Sequence, residues 1–268
     1  MLRRIRDRLR LARDVSRLGR GRLGVATTWL ICAIEPLRRR VPLFPEGLVR
    51  LRLQLGHAPV DVWLSDWSEL ILIWSIMSLG EYAALDVNGA RTIIDLGANI
   101  GVTALWLRSQ NSDAHIIAVE PDPRTFAKLC LNLAHDPLTT CINAAISPKS
   151  GPVAFTSAEQ SWESRVADTQ ETPVRLVDGI TLDELVATRR LDVIDIVKVD
   201  IEGMEFATLP DARCLDHVGQ LICELHPEAT ERDVGEFVDD LAERHGLKQV
   251  RGLPDHLFLL RREGSNVA

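Results

Sequence analysis

Thr92-Ile93-Ile94-Asp95-Leu96-Gly97-Ala98-Asn99-Ile100-Gly101 is the stretch that decides the fold, with Val197-Lys198-Val199-Asp200-Ile201-Glu202-Gly203 as its counterpart further along the chain. An apolar run closed by an acid, two glycines four apart and the helix-patterned Val102 to Arg108 read as strand, tight turn and helix start. That is the first unit of a doubly wound α/β domain. Gly97 lets the turn tighten, and Gly101 lets the helix pack close to the sheet with its free N–H groups towards a ligand.

Spacing separates the candidate ligands. A dinucleotide fold uses G-x-G-x-x-G, because the pyrophosphate needs a second glycine at its closest backbone approach. Here Ala98 and Asn99 fill that gap, and Asp95 would repel a pyrophosphate while suiting the ammonium of an amino-acid-like ligand. A second buried strand, His115 to Val119, ends in Glu120, where an acid accepts hydrogen bonds from a ribose diol. Asp95, Gly97, Asn99, Gly101 and Glu120 together fit S-adenosylmethionine better than NAD.

Further stretches follow in order: Glu120-Pro121, Asn143-Ala144-Ala145-Ile146-Ser147, Thr181-Leu182-Asp183-Glu184-Leu185 and Lys198-Val199-Asp200-Ile201-Glu202-Gly203-Met204-Glu205. With Asp95 to Gly101 they resemble the successive signatures of the FkbM family of S-adenosylmethionine-dependent methyltransferases, over roughly residues 80 to 225. The resemblance implies an adenine contact through Asn143 and Ala144, and an acceptor hydroxyl on a sugar of a glycolipid, polysaccharide or natural product. It also implies that the segment before the first motif covers the cofactor, with Trp63, Trp67 and Trp74 as pocket or core aromatics and Glu81-Tyr82 near the cofactor.

The 268 residues and 46% hydrophobic content allow one large core plus an appendage. Residues 1 to 40 hold twelve arginines against Asp7, Asp14 and Glu35, a net +9, so the total of −7 leaves the rest of the chain at −16. An acidic body argues against nucleic acid, as does the absence of an Asn/Asp-Pro-Pro-Tyr/Phe tetrad after the fourth strand. Cys32, Cys130, Cys141, Cys214 and Cys223 have neither C-x-x-C nor metal-ligand spacing, which suggests free thiols in a reducing cytosol. No secretory signal is visible, and the apolar piece Leu23 to Ile34 is too short to span a bilayer.

Three parts are expected: a basic helical extension and linker over 1–47, a hairpin and helix over 48–90, and the cofactor domain over 91–263. In the first, Leu2, Ile5, Leu9 and Ala12 recur at helical spacing between arginines. Such a helix either packs on the domain or a second subunit, or lies through residues 1–22 on an anionic membrane surface, placing a cytoplasmic enzyme at the inner membrane face. Arg38-Arg39-Arg40, Pro42 and Pro45 read as a linker. Val49, Leu51, Leu53 and Leu55, then Val60, Val62 and Leu64, alternate as a hairpin broken at His57-Ala58-Pro59. Asp66 or Ser68 caps a helix with Leu70 to Leu79 as its apolar body.

Beyond Glu120, a helix is expected over Pro123 to Asn132, a third strand over Thr140 to Ile146 and a turn from Ser147 to Gly151. The polar run Ser157 to Thr172, with Trp162, reads as a flap or a surface insertion. A short strand and helix follow over Asp178 to Val186, a fourth strand over Leu191 to Val199 and a fifth over Gln220 to Leu225. The helix Asp233 to Glu243 leads to Leu247–Val250 and to His256–Leu260, which lie too close for a right-handed crossover, so the last strand is antiparallel. Six parallel strands plus an inserted antiparallel seventh is the Rossmann-like class I methyltransferase sheet.

Asp200, Glu224 and His226 therefore fall at neighbouring strand ends, with Glu224 and His226 two apart and projecting the same way. Methyl transfer to a hydroxyl needs a proton acceptor, and Asp200 or His226 suits that role. Asp200 and Glu224 would also suit a divalent cation, although two acids and one histidine make a thin metal site. An N- or carboxyl-methyltransferase and a non-catalytic cofactor-binding scaffold are the alternatives.

Overall fold

The computed structural model describes residues 2–19, 24–30, 48–55, 58–65, 68–156, 165–166 and 175–264. The chain divides into two compact units, Met1–Ala83 and Ala84–Ala268. The linker arginines 38–40, His57, Asp66, Trp67 and Trp162 lie outside the described residues.

The first unit joins the basic helix to the hairpin. It contains α1 (Leu2–Leu18), α2 (24–30), β1 (Val49–Leu55), β2 (Ala58–Leu64) and α3 (Ser68–Ile73), which continues as a π-helical turn over Trp74–Leu79. Period-two patterning places Leu51 opposite Val62 and Leu53 opposite Val60, and Leu51, Leu53, Val62 and Leu64 are buried. On the other face Asp61 takes ion pairs from Arg50 and Arg52. β2 begins at Ala58, so the expected break at His57-Ala58-Pro59 is shorter than the sequence suggests.

α3 is tied at its start by Glu69, whose Oε2 accepts from the Ser65 N–H at 2.6 Å. The π turn ends where Gly80 takes φ 71°. Of the apolar residues expected on the basic helix's face, Ala12 is buried and Leu9 is exposed; Leu11 and Val15 are buried beside Ala12. Trp74 Nε1–H donates to Asp14 Oδ2 at 3.3 Å, so this tryptophan fastens α1 and has a structural partner.

The second unit starts earlier than position 91, because two polar side chains bind residues 84–86 to its sheet. The Gln220 amide exchanges hydrogen bonds with the backbone of Asp86, and the Arg261 guanidinium donates to Ala84 O. Its main elements are β3 (Thr92–Leu96), α4 (Val102–Gln110), β4 (His115–Val119), α5 (Pro123–Asn132), β5 (Thr139–Ile142), β6 (Ala145–Ile146), β7 (Gly151–Thr156), β8 (Arg165–Val166), β9 (Arg175–Ile180), α6 (Leu182–Arg189), β10 (Ile194–Val199), α7 (Glu205–Thr208), β11 (Val218–Glu224), α8 (Val234–His245), β12 (Lys248–Val250) and β13 (Leu257–Arg261).

Seven of the strands form one sheet in the order β12-β13-β11-β10-β3-β4-β5. β11, β10, β3, β4 and β5 pair in parallel, and β13 runs antiparallel between β11 and β12. This is the expected class I methyltransferase sheet. Ile93, Ile94 and Leu96 of β3, Ile196, Val197 and Val199 of β10, and Leu221 and Ile222 of β11 are fully buried, as near-continuous apolar strands in a two-sided parallel sheet must be.

One expected strand divides. Thr140 to Ile146 breaks at Asn143-Ala144: β5 stays in the main sheet, while β6 joins β9, β7 and β8 in a second, four-stranded sheet. The cap of α6 explains one of the quoted signatures. Thr181 Oγ1 accepts from the Glu184 N–H at 3.1 Å, and Asp183 accepts from the N–H groups of Arg213 and Cys214. Thr-Leu-Asp-Glu-Leu is thus a helix start that also fixes the next loop.

Candidate active site

The strand ends β3, β4, β5, β10 and β11 all point to the same edge of the sheet, where two turns meet. Gly97 has φ 73°, and a Cβ there would lie 1.7 Å from the carbonyl oxygen of Asp200. Only glycine permits that approach, so the first turn is shaped by the second. Lys198 completes the join: its Nζ donates to Leu96 O at 3.2 Å and to Gly97 O at 2.9 Å. It also lies 3.2 Å from Asp95 Oδ1 and 3.6 Å from Asp200 Oδ2.

Asp95 and Lys198 are both essentially inaccessible to solvent. Burial pushes the Asp95 carboxyl up, opposed by the Lys198 charge; for Lys198, burial acts downwards and is outweighed by Asp95 and Asp200, which hold it above the usual lysine range. The expectation that Asp95 meets a ligand ammonium is therefore corrected. Its carboxylate faces the buried Lys198 ion pair, and Lys198 is a clamp on the loop carbonyls.

The remaining first-turn residues frame a concave edge. Gly97 and Ala98 N–H donate to Val119 O at 3.0 and 2.9 Å, and Gly101, at φ 90°, packs against Leu129. Asn99 sits at φ 50° with its Oδ1 accepting from the Ile100 N–H. Glu120 is buried, with Oε2 accepting from the Asn99 N–H at 3.0 Å and Oε1 from the Asp122 N–H at 2.8 Å. Burial outweighs those two hydrogen bonds and pushes its pKa up to about 8. Asn143 is exposed and donates through Nδ2 to the carbonyls of Glu120 and Pro121, while Ala144 is buried beneath it. The sequence-expected cofactor residues other than Asp95 thus gather along one edge.

Acids of a different character line the second turn. Glu202 takes φ 53°, a left-handed conformation that non-glycine residues seldom adopt, in the turn that leads to α7. His226 Nε2 is 3.4 Å from Glu202 Oε2 and 4.0 Å from Asp200 Oδ1, and its Nδ1 is 3.2 Å from Glu205 Oε1. Glu205 is fully buried, and the same Oε1 accepts from the Ile201 N–H at 2.9 Å.

Burial alone would lower the His226 pKa. The Glu205 hydrogen bond and charge, with Asp200 and Glu202, outweigh it and raise the ring to about 9. Burial and the Asp200 charge raise Glu202 to about 7, against the pull of His226. The acids around His226 thus favour its protonated ring, a form that holds neighbouring carboxylates and does not accept a proton.

The grouping also differs from the expected one. Asp200 and His226 converge, but their third partner is Glu202: one ligand atom from each of these three lies within 4.8 Å of the others. Glu224 ends β11 in register with Leu257, and His226 has already left the strand at φ −108°, so the two-residue alternation does not carry over to it. Glu202 and Glu205 were visible only as letters of the Lys-x-Asp-x-Glu-Gly-x-Glu signature. Two carboxylate oxygens and an imidazole nitrogen, with a buried acid behind the ring, are also a donor set for a divalent cation, which would have to displace the His226 proton.

Residues 95–259 match the model of the methyltransferase FkbM domain. The hexuronic acid methyltransferase AglP of Haloferax volcanii is 28% identical over 150 residues, 54% of this chain, and the chain spans 60% of that relative's length. Among solved structures, the FkbM methyltransferase from Methylobacillus flagellatus aligns over 94% of this chain and 58% of its own, at 14% identity and a TM-score of 0.48. Fibrillarin from Aeropyrum pernix, with natively bound S-adenosyl-L-methionine, aligns over 82% and 85% at 16% identity and a TM-score of 0.40. The family match takes in both turns and the sheet edge they share, and the chain belongs to the FkbM family of methyltransferases.

Proposed function

We propose that this protein transfers a methyl group from S-adenosylmethionine to an acceptor hydroxyl, on a sugar of a glycolipid, polysaccharide or natural product. The observation that carries the reading is the pairing at one sheet edge of a buried acid with a free lone pair on each oxygen, Glu120, with a partly exposed acid, Asp200. Glu120 fits the cofactor because each of its oxygens is held by a single backbone N–H, leaving a second lone pair for a ribose hydroxyl. S-adenosylmethionine supplies an electrophilic methyl on a sulfonium.

Asp200 is fixed by the β10 strand end and by the Asp200 N–H donating to Leu96 O at 3.1 Å. Its carboxylate takes the proton of the acceptor hydroxyl as the oxygen forms its bond to carbon. Lys198 Nζ lies 3.6 Å from the Asp200 carboxylate and ties it to the first turn. Glu205 holds the His226 ring, and the ring's charge keeps Glu202 and Asp200 from repelling one another. The net negative edge also suits a cationic donor.

The relative's name, a hexuronic acid methyltransferase, supports a sugar acceptor, and a uronic acid offers a carboxylate besides its hydroxyls. Methylation of the carboxylate is the second reading, and it needs no base. A labelled methyl donor incubated with the protein and a panel of neutral and uronic sugars tests both. Label on a hydroxyl supports the first reading, label on a carboxylate the second, and no sugar labelled at all contradicts both.

A further inference from the structure

Helix α2 of the first unit is built inside out. Thr28 is completely buried, its Oγ1 donating to Gly24 O at 3.0 Å, and a Cβ on Gly24 would lie 2.7 Å from the Arg52 carbonyl. Gly24 and Thr28 therefore face inward, Gly24 against the hairpin. Val25, Trp29 and Leu30 face outward, at 36%, 40% and 57% exposure. A helix on an ordinary water-facing surface shows the reverse order.

The same unit carries Leu9, Leu48 and Leu79 on its surface, so six of the ten exposed large hydrophobic residues among the described residues lie within Met1–Ala83. The guanidinium groups of Arg10, Arg13 and Arg17 also project into solvent, with Asp14 as their acid. Over residues 1 to 40 the charge is +9, against −16 for the rest. No described helix is long and apolar enough to cross a membrane.

We propose that the first unit docks on an anionic lipid surface, with Val25, Trp29 and Leu30 of α2 entering the headgroup boundary and the arginines meeting lipid phosphates. The apolar stripe of α1 is not the inserting face, since Leu11, Ala12 and Val15 are buried within the unit. Amphipathic segments bind such surfaces by apolar insertion plus charge, and the charge here selects acidic over neutral lipid. The proposal rests on this unit alone and does not depend on the acceptor reading.

The test is cosedimentation of the full chain with vesicles of phosphatidylcholine containing phosphatidylglycerol, against phosphatidylcholine alone, in low and high salt. The expected result is binding only to the acidic vesicles, weakened by salt, with a blue shift of emission that disappears in Trp29→Phe. Trp29→Ser combined with Leu30→Ser, both at exposed positions, should weaken partitioning at least about tenfold, since each buried methylene is worth roughly 0.8 kcal/mol. Circular dichroism of the variant checks that it folds. Failure to bind acidic vesicles, or binding untouched by the double variant, overturns the proposal; so does a wild-type dimer that the double variant converts to monomer without any lipid affinity, which would make a second copy the occupant.

Discussion

The two turns at the sheet edge contain the same residue types and use them in opposite ways. In the first, Asp95 is sealed against Lys198 and Glu120 is buried with one backbone N–H on each oxygen. In the second, Asp200 and Glu202 remain about a quarter exposed at their side chains and share a single histidine. Asp95 is buried and paired and shapes the loop, Glu120 is buried but keeps a lone pair free on each oxygen, and Asp200 and Glu202 keep an open side. Lys198 belongs to both turns, and the comparison is sharpest there.

Removing the shared cation should have the largest effect. Lys198→Met leaves Asp95 buried without its ion-pair partner and frees the carbonyls of Leu96 and Gly97. A buried charge stranded in this way costs about 3–5 kcal/mol. Denaturant unfolding should show a loss of that order, and a near-normal midpoint would mean that the pair does not hold the turns together.

Glu120 should come next, acting on the cofactor. Ribose hydroxyls favour its ionised form, yet in the free protein its pKa stands at about 8. Binding must then release a proton below that pH, so calorimetric affinity for S-adenosylmethionine should strengthen from pH 6 to above 8 and level off. Glu120→Gln should weaken binding by on the order of 3 kcal/mol at pH 8.5 and abolish the pH dependence. Equal affinity in variant and wild type would place the ribose elsewhere.

The smallest effect belongs to Glu205→Gln, which keeps an acceptor for Ile201 N–H but removes the charge behind His226. The folded pKa of about 9 is raised above the ordinary 6.5. Its contribution to stability is therefore complete below pH 6.5 and lost as pH rises through 9. In the variant the ring should titrate lower, as nuclear magnetic resonance can follow, and the alkaline loss of stability should begin earlier. An unshifted ring would remove Glu205 from the positioning role.

Much of the fold was legible because its signals are local. The strand-turn-helix pattern at 92–108, the run Pro123 to Asn132 and the close spacing before β13 each follow from periodicity or connection length, and the sheet order followed from them. The second sheet was not legible: β6 and β8 are two residues long, too short for alternation to register, and β6 follows β5 after a break of two residues. The sequence also placed α1 as a helix and Ala12 on its buried face, while Leu9 is exposed and Leu11 and Val15 are buried beside Ala12.

At the site, the glycines and Glu120 could be read from spacing alone. The fate of Asp95 could not, because its partner Lys198 lies a hundred positions away and only the parallel pairing of β3 with β10 sets Lys198 opposite Asp95. Glu202 was hidden for a similar reason: a left-handed turn that the letters do not announce brings it to His226. Asp200 was legible, because a strand end fixes it.

The most direct test of the account is turnover of Asp200→Asn measured beside its cofactor affinity. If Asp200 takes the hydroxyl proton, the variant should bind S-adenosylmethionine about as well as the wild type and transfer methyl to a hydroxyl acceptor ~10²- to 10⁴-fold more slowly, the usual worth of a positioned base. Near-normal turnover would contradict that role, and if it were seen on a uronic carboxylate it would favour the ester-forming reaction instead.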